Sequence, residues 1–179
     1  MYSSIDTIES DTRAQKAAVD RMVASMTTAR SYSVKQREAL EGFKTKLQEQ
    51  AKLLRDNGSK EDGDDLEEMI TRTPRGDTDP GGIDNKIANI TKGLATADQQ
   101  LLLLNTQSSI LQHMLSGDSE KEFEVKLPDG SSDKAKVAPI ALIRPQISEA
   151  EGKLKADMTA LKKAGDNWFN LGYWFAAQI

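Results

Sequence analysis

The first long stretch of the chain, residues 4–56, carries apolar residues at alternating steps of three and four positions. Ten of its fifteen such positions are apolar, against 37% hydrophobic residues in the whole chain. One face of an α-helix repeats at this spacing, so the pattern predicts a long helix packed as in a coiled coil. The predicted core positions are Ile5, Ile8, Thr12, Gln15, Val19, Met22, Met26, Ala29, Ser33, Gln36, Leu40, Phe43, Leu47, Gln50 and Leu54.

Two signals divide and end this first segment. Ser33 followed by Gln36 is typical of a capping box, which predicts either two helices or one helix with a bend. Gly58 suits the left-handed position that follows a helix end. Residues 57–82 are then an acidic connector, with a short helix capped by Asp64 or Asp65 and a loop rich in Gly, Pro and Asp.

The second long helix is predicted over residues 83–116, where nine of ten core positions are apolar. A local break is expected between Gly93 and Thr96, and Gly117 follows the helix end. The spacing of the core positions does not slip across the break, so both halves should face the same neighbour. These positions are Ile83, Ile87, Ile90, Leu94, Ala97, Leu101, Leu104, Ser108, Leu111 and Leu115.

Residues 117–146 are predicted to form a β-hairpin and a loop. Apolar and charged residues alternate in 121–127 and again in 134–137, on either side of the turn sequence PDGSS. The outward side would place glutamates opposite lysines, a modestly favourable pairing. A lone hairpin is marginal in water, so we expect it to pack on another element.

A C-terminal helix is predicted over residues 147–179, with a capping box at Ser148–Glu151. We expect its core positions to face the bundle. They are Ile147, Glu151, Leu154, Met158, Leu161, Gly165, Trp168, Gly172, Phe175 and Ile179. Together the segments predict a mainly α fold, an elongated antiparallel coiled-coil helical bundle with a small β-hairpin insert. We expect residues 1–179 to form a single elongated domain.

The aromatic residues gather at the C-terminal end. The chain has two Trp, three Tyr and four Phe, and five of these lie in the last twelve residues. Some continue the core positions of the last helix, while the others widen its apolar face. We expect the core positions to dock on the bundle, and the excess to be covered by a second helix of the same chain or by a partner subunit, rather than by lipid. The candidate residues are Trp168, Phe169, Tyr173, Trp174, Phe175 and Ile179.

Composition and charge narrow the class of protein. The net charge is −4 and no Lys/Arg cluster is interleaved with aromatics, which argues against nucleic-acid binding. The chain has no cysteine, so disulfides and thiolate chemistry are excluded. Neither a cleavable signal sequence nor a membrane-spanning run is visible, so no stable membrane insertion is expected. Cysteine-free chains are common among proteins exported and assembled outside the cell, so we expect a secreted or cell-surface protein without a cleaved signal, with a cytoplasmic location as the alternative.

Candidate chemistry is sparse. His113 is the single histidine, and we expect it to be solvated. The loop places Asp77, Asp79 and Gly82 like the start of a calcium loop, but it lacks the fifth and twelfth ligands. The same loop contains Arg75-Gly76-Asp77, the tripeptide that integrins bind, although three-residue matches arise often by chance. No nucleotide-binding or hydrolase motif occurs, so we expect no enzyme, no cofactor and no metal.

Three stretches resemble the hydrophilic translocators of bacterial type III secretion, the needle-tip and tip-filament proteins. They are LLRDNG (53–58), DPGGIDNKIANI (79–90) and ADQQLLLLNTQSSILQHM (97–114). The resemblance implies a long helical hairpin with a mixed α/β insert, export without a cleaved signal, and a needle subunit, a secretion chaperone or further copies as partners. One feature departs from that family, in which the last long helix ends the chain. Here a hairpin and a third long helix follow Gly117.

Two other functions fit parts of the pattern. Helix, β-hairpin and helix over residues 83–179 are similar to the layout of prefoldin-type holdase chaperones, although the long N-terminal segment has no place in it. A membrane-active helical toxin is the third possibility, with residues 137–143 or the aromatic C-terminus entering lipid. That apolar stretch is short and lacks a basic flank.

Overall fold

The structure, a computed structural model, describes residues 5–127 and 129–178, and it describes side chains as far as residue 165. The protein is mainly helical and carries one two-stranded antiparallel β-hairpin, which confirms the predicted fold class. The elements are α1 (Ile5–Asp56), α2 (Lys60–Thr71), α3 (Ile83–Ser116), β1 (Lys121–Lys126), β2 (Ser132–Val137) and α4 (Ile140–Gln178).

The residues group into two compact units. The helical unit comprises Ala18–Gln107, and the hairpin unit comprises Met1–Ala17 together with Ser108–Ile179. Helices α1 and α3 each contribute residues to both units. The single elongated domain expected from the sequence therefore stays a prediction, and the two units are described in turn.

The residues of α1 that are buried or half-buried match about half of the predicted core positions. At most of the other predicted positions, the next residue along the chain is buried or half-buried instead. Every seventh residue from Ile5 to Leu54 is buried or half-buried, as predicted. The predicted positions Gln15, Met22, Ala29, Gln36, Phe43 and Gln50 are exposed. The residues that follow them are buried or half-buried instead: Lys16, Val23, Arg30, Arg37, Lys44 and Ala51.

The apolar pattern misses this shift because four of the six half-buried or buried residues are Lys or Arg. Long basic side chains lay their aliphatic stems along a neighbouring helix and keep the charged ends at its edge. A search for apolar residues scores these positions as surface. It selects the neighbouring Met22 and Phe43 instead, which are 50% and 48% exposed.

Helices α1 and α3 are both uninterrupted, so the predicted division of α1 into two helices and the predicted local break in α3 are wrong. Helix α1 continues through Ser33 and Gln36, and α3 continues through Gly93 and Thr96. The Thr96 hydroxyl donates to the carbonyl of Lys92 at 3.3 Å, within its own helix. A Ser or Thr hydroxyl inside a helix can bond back to its own helix instead of capping a new one, so a capping-box sequence does not have to start a new helix.

The core of the helical unit lies where three helices meet. Leu47 of α1, Ile70 of α2 and Ile83 of α3 form a buried cluster, with Leu40, Leu66 and Ile87 packed around it. All ten predicted core positions of α3 are buried or half-buried, which confirms that face.

Two ion pairs show that α1 and α3 run antiparallel within the helical unit. Arg30 pairs with Asp98 at 2.5 Å, and Lys44 pairs with Asp84 at 2.6 Å. Moving forward from Arg30 to Lys44 along α1 moves the partner back by the same number of residues along α3. The antiparallel arrangement predicted for these two helices is therefore confirmed.

Helix α2 begins earlier than predicted, because the chain turns back as soon as α1 ends. Gly58 adopts φ +86° at the predicted left-handed position. The Ser59 amide donates to the Leu54 carbonyl at 2.8 Å, and the Gly58 amide to the Arg55 carbonyl at 3.1 Å, the hydrogen bonds of a Schellman motif. Ser59 is thus the residue before α2, and the predicted cap at Asp64 or Asp65 is wrong.

The β-hairpin in the hairpin unit has the predicted alternation. Phe123 pairs with Ala135 on the half-buried face, while Glu122 lies opposite Lys136 and Glu124 opposite Lys134 on the exposed face. The turn is closed by Asp129, whose carboxylate accepts from the Ser131 amide at 2.9 Å. Hydrogen bonds from Ser131 lower the pKa of Asp129.

Helix α4 begins at Ile140, before the predicted start near residue 147. The Leu142 and Ile143 amides both donate to the carbonyl of buried Pro139, at 3.0 and 3.2 Å. Pro145 lies inside the helix near its start, where a missing amide hydrogen removes one backbone bond. Arg144 pairs the start of α4 with α1 within the unit, through Asp6 at 2.9 Å and Glu9 at 2.5 Å.

Candidate interaction surfaces

The predicted interaction residues fall at the end of α4. The side chains of Trp168, Phe169, Tyr173, Trp174 and Phe175 lie outside the described side chains, and Ile179 lies outside the described residues. Their role in binding a partner stays a prediction.

Directly before them, α4 exposes an apolar stripe. Every side chain from residue 148 to residue 164 is exposed. Leu154, Met158 and Leu161 are 41%, 53% and 70% exposed and recur at helical spacing, so they share one face. The prediction that these three residues face the bundle is wrong. Ile147, at the start of the same row, is half-buried.

No side chain of residues 148–164 is buried or half-buried by the described part of the chain. Most helical stability in proteins comes from packing an apolar face against other parts of the structure. Charges of both signs surround the stripe, with Glu151 and Asp157 interspersed among Lys153 and Lys155. An apolar stripe with a charged rim has the composition of an interface.

A second apolar surface is a groove of about 640 Å³ in the helical unit. Its two methionines, Met22 and Met26, are flexible and polarisable side chains that adapt to varied partners. Met22 is one of the misplaced core positions, and its exposure follows from the shift of the buried stripe. The lining residues are Ala18, Arg21, Met22, Ser25, Met26, Ala29 and Leu104.

The loop between α2 and α3 is organised around Asp79. Its carboxylate accepts from the Arg72 guanidinium at 2.5 and 3.0 Å, from the Arg75 amide at 2.9 Å and from the Gly81 amide at 2.9 Å. The hydrogen bond from Arg72, with the two backbone amides, holds the pKa of Asp79 far below its usual range. Both oxygens of Asp79 are thus engaged by the protein, and Asp79, the third position of the calcium-like order, holds Arg72 in an arginine clamp instead.

His113 makes structural contacts, although the sequence predicts that it is solvated. The residue is half-buried, its Nε2 lies 2.8 Å from the Ser119 carbonyl, and its ring centroid lies 5.6 Å from that of Phe123. The predicted packing of the hairpin on another element is therefore confirmed, since Phe123 of β1 packs on α3. A histidine in the last turn of a helix that leads straight into a hairpin was the available signal.

Within residues 5–127 and 129–178, no helix combines the length and the apolar character needed to cross a bilayer. Comparison of the chain with protein-family models, with curated proteins and with solved structures gave no match.

Proposed function

We propose that this chain is a non-enzymatic assembly protein that works through protein–protein contacts, as a needle-tip or filament component of a bacterial type III secretion apparatus. The observation that carries the assembly role is the exposed stripe of Leu154, Met158 and Leu161 on α4. The secretion setting is supported by the resemblance of residues 53–58, 79–90 and 97–114 to hydrophilic translocators. That setting implies a secreted or cell-surface protein.

The free energy gained by burying the stripe can be compared with the free-energy cost of association. Burying a Leu or Met side chain contributes about 1.5–3 kcal/mol. Three such side chains give a total comparable to the roughly 4–15 kcal/mol that association costs in lost freedom. The stripe alone is therefore too small for a stable interface. The contact must extend further along α4, and the aromatic-rich residues 168–179 are the adjacent part of the sequence.

Size-exclusion chromatography with light scattering tests the assembly role. The full-length chain and a chain ending at Gly165 are compared over a range of concentrations. The full-length protein is expected to gain mass as concentration rises, while the shortened protein, which keeps the stripe but loses the aromatics, remains a monomer. Equal monomers that are equally helical by circular dichroism would contradict assembly through the C-terminal part of α4.

A direct binding assay tests the secretion setting separately. Purified needle subunit is immobilised, and the full-length chain is passed over it. Binding is expected for the full-length chain and is expected to weaken for the chain ending at Gly165. Self-assembly without any binding to needle subunits would support the assembly role but contradict the secretion setting.

A holdase chaperone is the second candidate, favoured by the order α3, β1, β2, α4 with an exposed apolar helix after the hairpin. The stripe would then cover unfolded clients instead of copies or needle subunits. Suppression of the heat aggregation of an unrelated protein, at equimolar concentration, separates the two. The assembly proposal expects no suppression.

A further inference from the structure

The loop of residues 72–82 is closed by a hydrogen bond between its two ends and is held by the side chain of Asp79 inside it. The Gly82 amide donates to the Arg72 carbonyl at 2.7 Å, which joins the two ends of the loop. Asp79 then ties the Arg72 side chain to the backbone of Arg75 and Gly81. A Cβ atom on Gly82 would lie 2.5 Å from the carbonyl oxygen of Ile70, so the loop ends fit closely against α2. The conformation of the loop is thus fixed by its own contacts.

The tip of this loop displays two opposite charges that the fold does not use. Arg75, Gly76 and Asp77 are all exposed. Gly76 has φ +83°, a left-handed conformation that glycine adopts without strain. Among the described residues, the Arg75 guanidinium and the Asp77 carboxylate make no hydrogen bond or ion pair. The contrast with Arg72, which is clamped by Asp79 in the same loop, leaves the tip free for a partner.

We infer that residues 75–77 form a receptor-binding site, in which the braced loop presents Arg75 and Asp77 to an integrin-type receptor. Such a receptor has an acidic pocket that binds a guanidinium. It also holds a divalent cation that a carboxylate oxygen of the ligand can coordinate. Both ligand groups are charged, so the contacts are charge-assisted and geometrically selective. A loop already held in one conformation loses less freedom on binding, which favours affinity. This role is independent of assembly through α4.

Binding of the full-length protein to the purified ectodomain of an RGD-binding integrin, in buffer containing Mn²⁺, tests the inference. The variant Asp77→Glu keeps the charge and the exposure but moves the carboxylate by one methylene. The matched control Asp62→Glu makes the same change at another exposed carboxylate, on α2. We expect saturable binding of the wild type and of Asp62→Glu, and a loss of at least about tenfold for Asp77→Glu.

Two further measurements test whether binding depends on the divalent cation and on the fixed conformation of the loop. Chelation of Mn²⁺ is expected to abolish binding, and Asp79→Ala, which removes the brace while leaving Arg75 and Asp77 in place, is expected to weaken it several-fold. Wild-type binding no stronger than that of Asp77→Glu, or binding that survives chelation, would overturn the inference. Light scattering on Asp77→Glu is expected to match the wild type, so failure at the loop and failure of assembly are read separately.

Discussion

Helices α1 and α4 carry the same spacing of core positions but meet different surroundings. In the helical unit, Leu40 and Leu47 of α1 pack with α2 and α3, and Arg30 and Lys44 complete the contact as ion pairs. In α4, residues 148–164 show the same three- and four-residue steps and are exposed on every side. A heptad pattern therefore indicates that a helix has a covered face, but it does not say whether the cover belongs to the same chain.

The difference also shows what marks a stripe that is covered within the chain. The buried stripe of α1 alternates apolar residues with long basic ones, and acidic residues of α3 lie opposite Arg30 and Lys44. Among the described residues, no ion pair links the charged residues of 148–164 in α4 to another element. Cross-helix charge pairs, more than apolar count, separate the two cases here.

The largest expected effect comes from shortening the same side chain in each region. Leu47→Ala removes a side chain that is 6% exposed in the core cluster and should lower the free energy of unfolding by about 2–5 kcal/mol. Leu161→Ala removes one that is 70% exposed and should change it by less than about 0.5 kcal/mol. Urea unfolding at low protein concentration measures both. Equal losses would mean that the stripe on α4 is packed within the monomer.

A smaller effect is expected from adding one methyl group to each region. A Cβ on Gly63 would lie 2.8 Å from the Arg55 Cγ and 2.9 Å from the Ala51 carbonyl oxygen, so Gly63→Ala forces α2 away from α1. We expect a loss of about 1–3 kcal/mol in thermal or urea unfolding.

Gly152→Ala in α4 is the matched change, because nothing lies within 4 Å of the added atom. Alanine favours helix over glycine by up to about 1 kcal/mol, so the ellipticity at 222 nm should rise slightly or hold. A destabilised Gly152→Ala would place a neighbour against α4 and blur the distinction between the regions.

The smallest effect concerns the ion pair at the edge of the α1–α3 contact. A hydrogen bond from Arg30, reinforced by its charge, lowers the pKa of Asp98. An unfolded aspartate titrates near pH 4, so the pair stabilises the fold above about pH 4 and loses this contribution as the pH falls through the lowered pKa. Asp98→Asn should therefore be less stable than wild type at pH 7 and closer to it at pH 3. Urea unfolding at both pH values checks this, with Asp157→Asn in α4 as the control expected to change little at pH 7.

Much of the fold could be predicted from the sequence, because its signals are local and strong. The ten core positions of α3, the turn at Gly58 and the alternation in the hairpin each follow from spacing and turn chemistry, and each is confirmed. The buried stripe of α1 was only half predicted, because Arg30 and Lys44 are half-buried while their residue types score as surface. The start of α4 was missed because Pro145 lies inside that helix.

The candidate surfaces were harder to predict. Whether Leu154 or Met22 is covered depends on which helices approach it, and a single heptad pattern carries no information on that. The arginine clamp on Asp79 depends on Arg72, which directly follows α2 and stands seven residues earlier. The sequence shows the order of the aspartates but not the arginine partner of Asp79, so the sequence pattern indicates only a possible cation ligand there.

Light scattering on a full-length stripe variant tests the central claim, that the exposed face of α4 is an assembly surface. The variant changes Leu154, Met158 and Leu161 to Gln, which keeps good helix formers in place. The matched control changes Tyr32, Leu53 and Met69 to Gln, residues that are 64%, 61% and 51% exposed in the helical unit. The account predicts that wild type and control gain mass with concentration while the stripe variant stays a monomer with unchanged helicity. A stripe variant that assembles as the wild type does would contradict it.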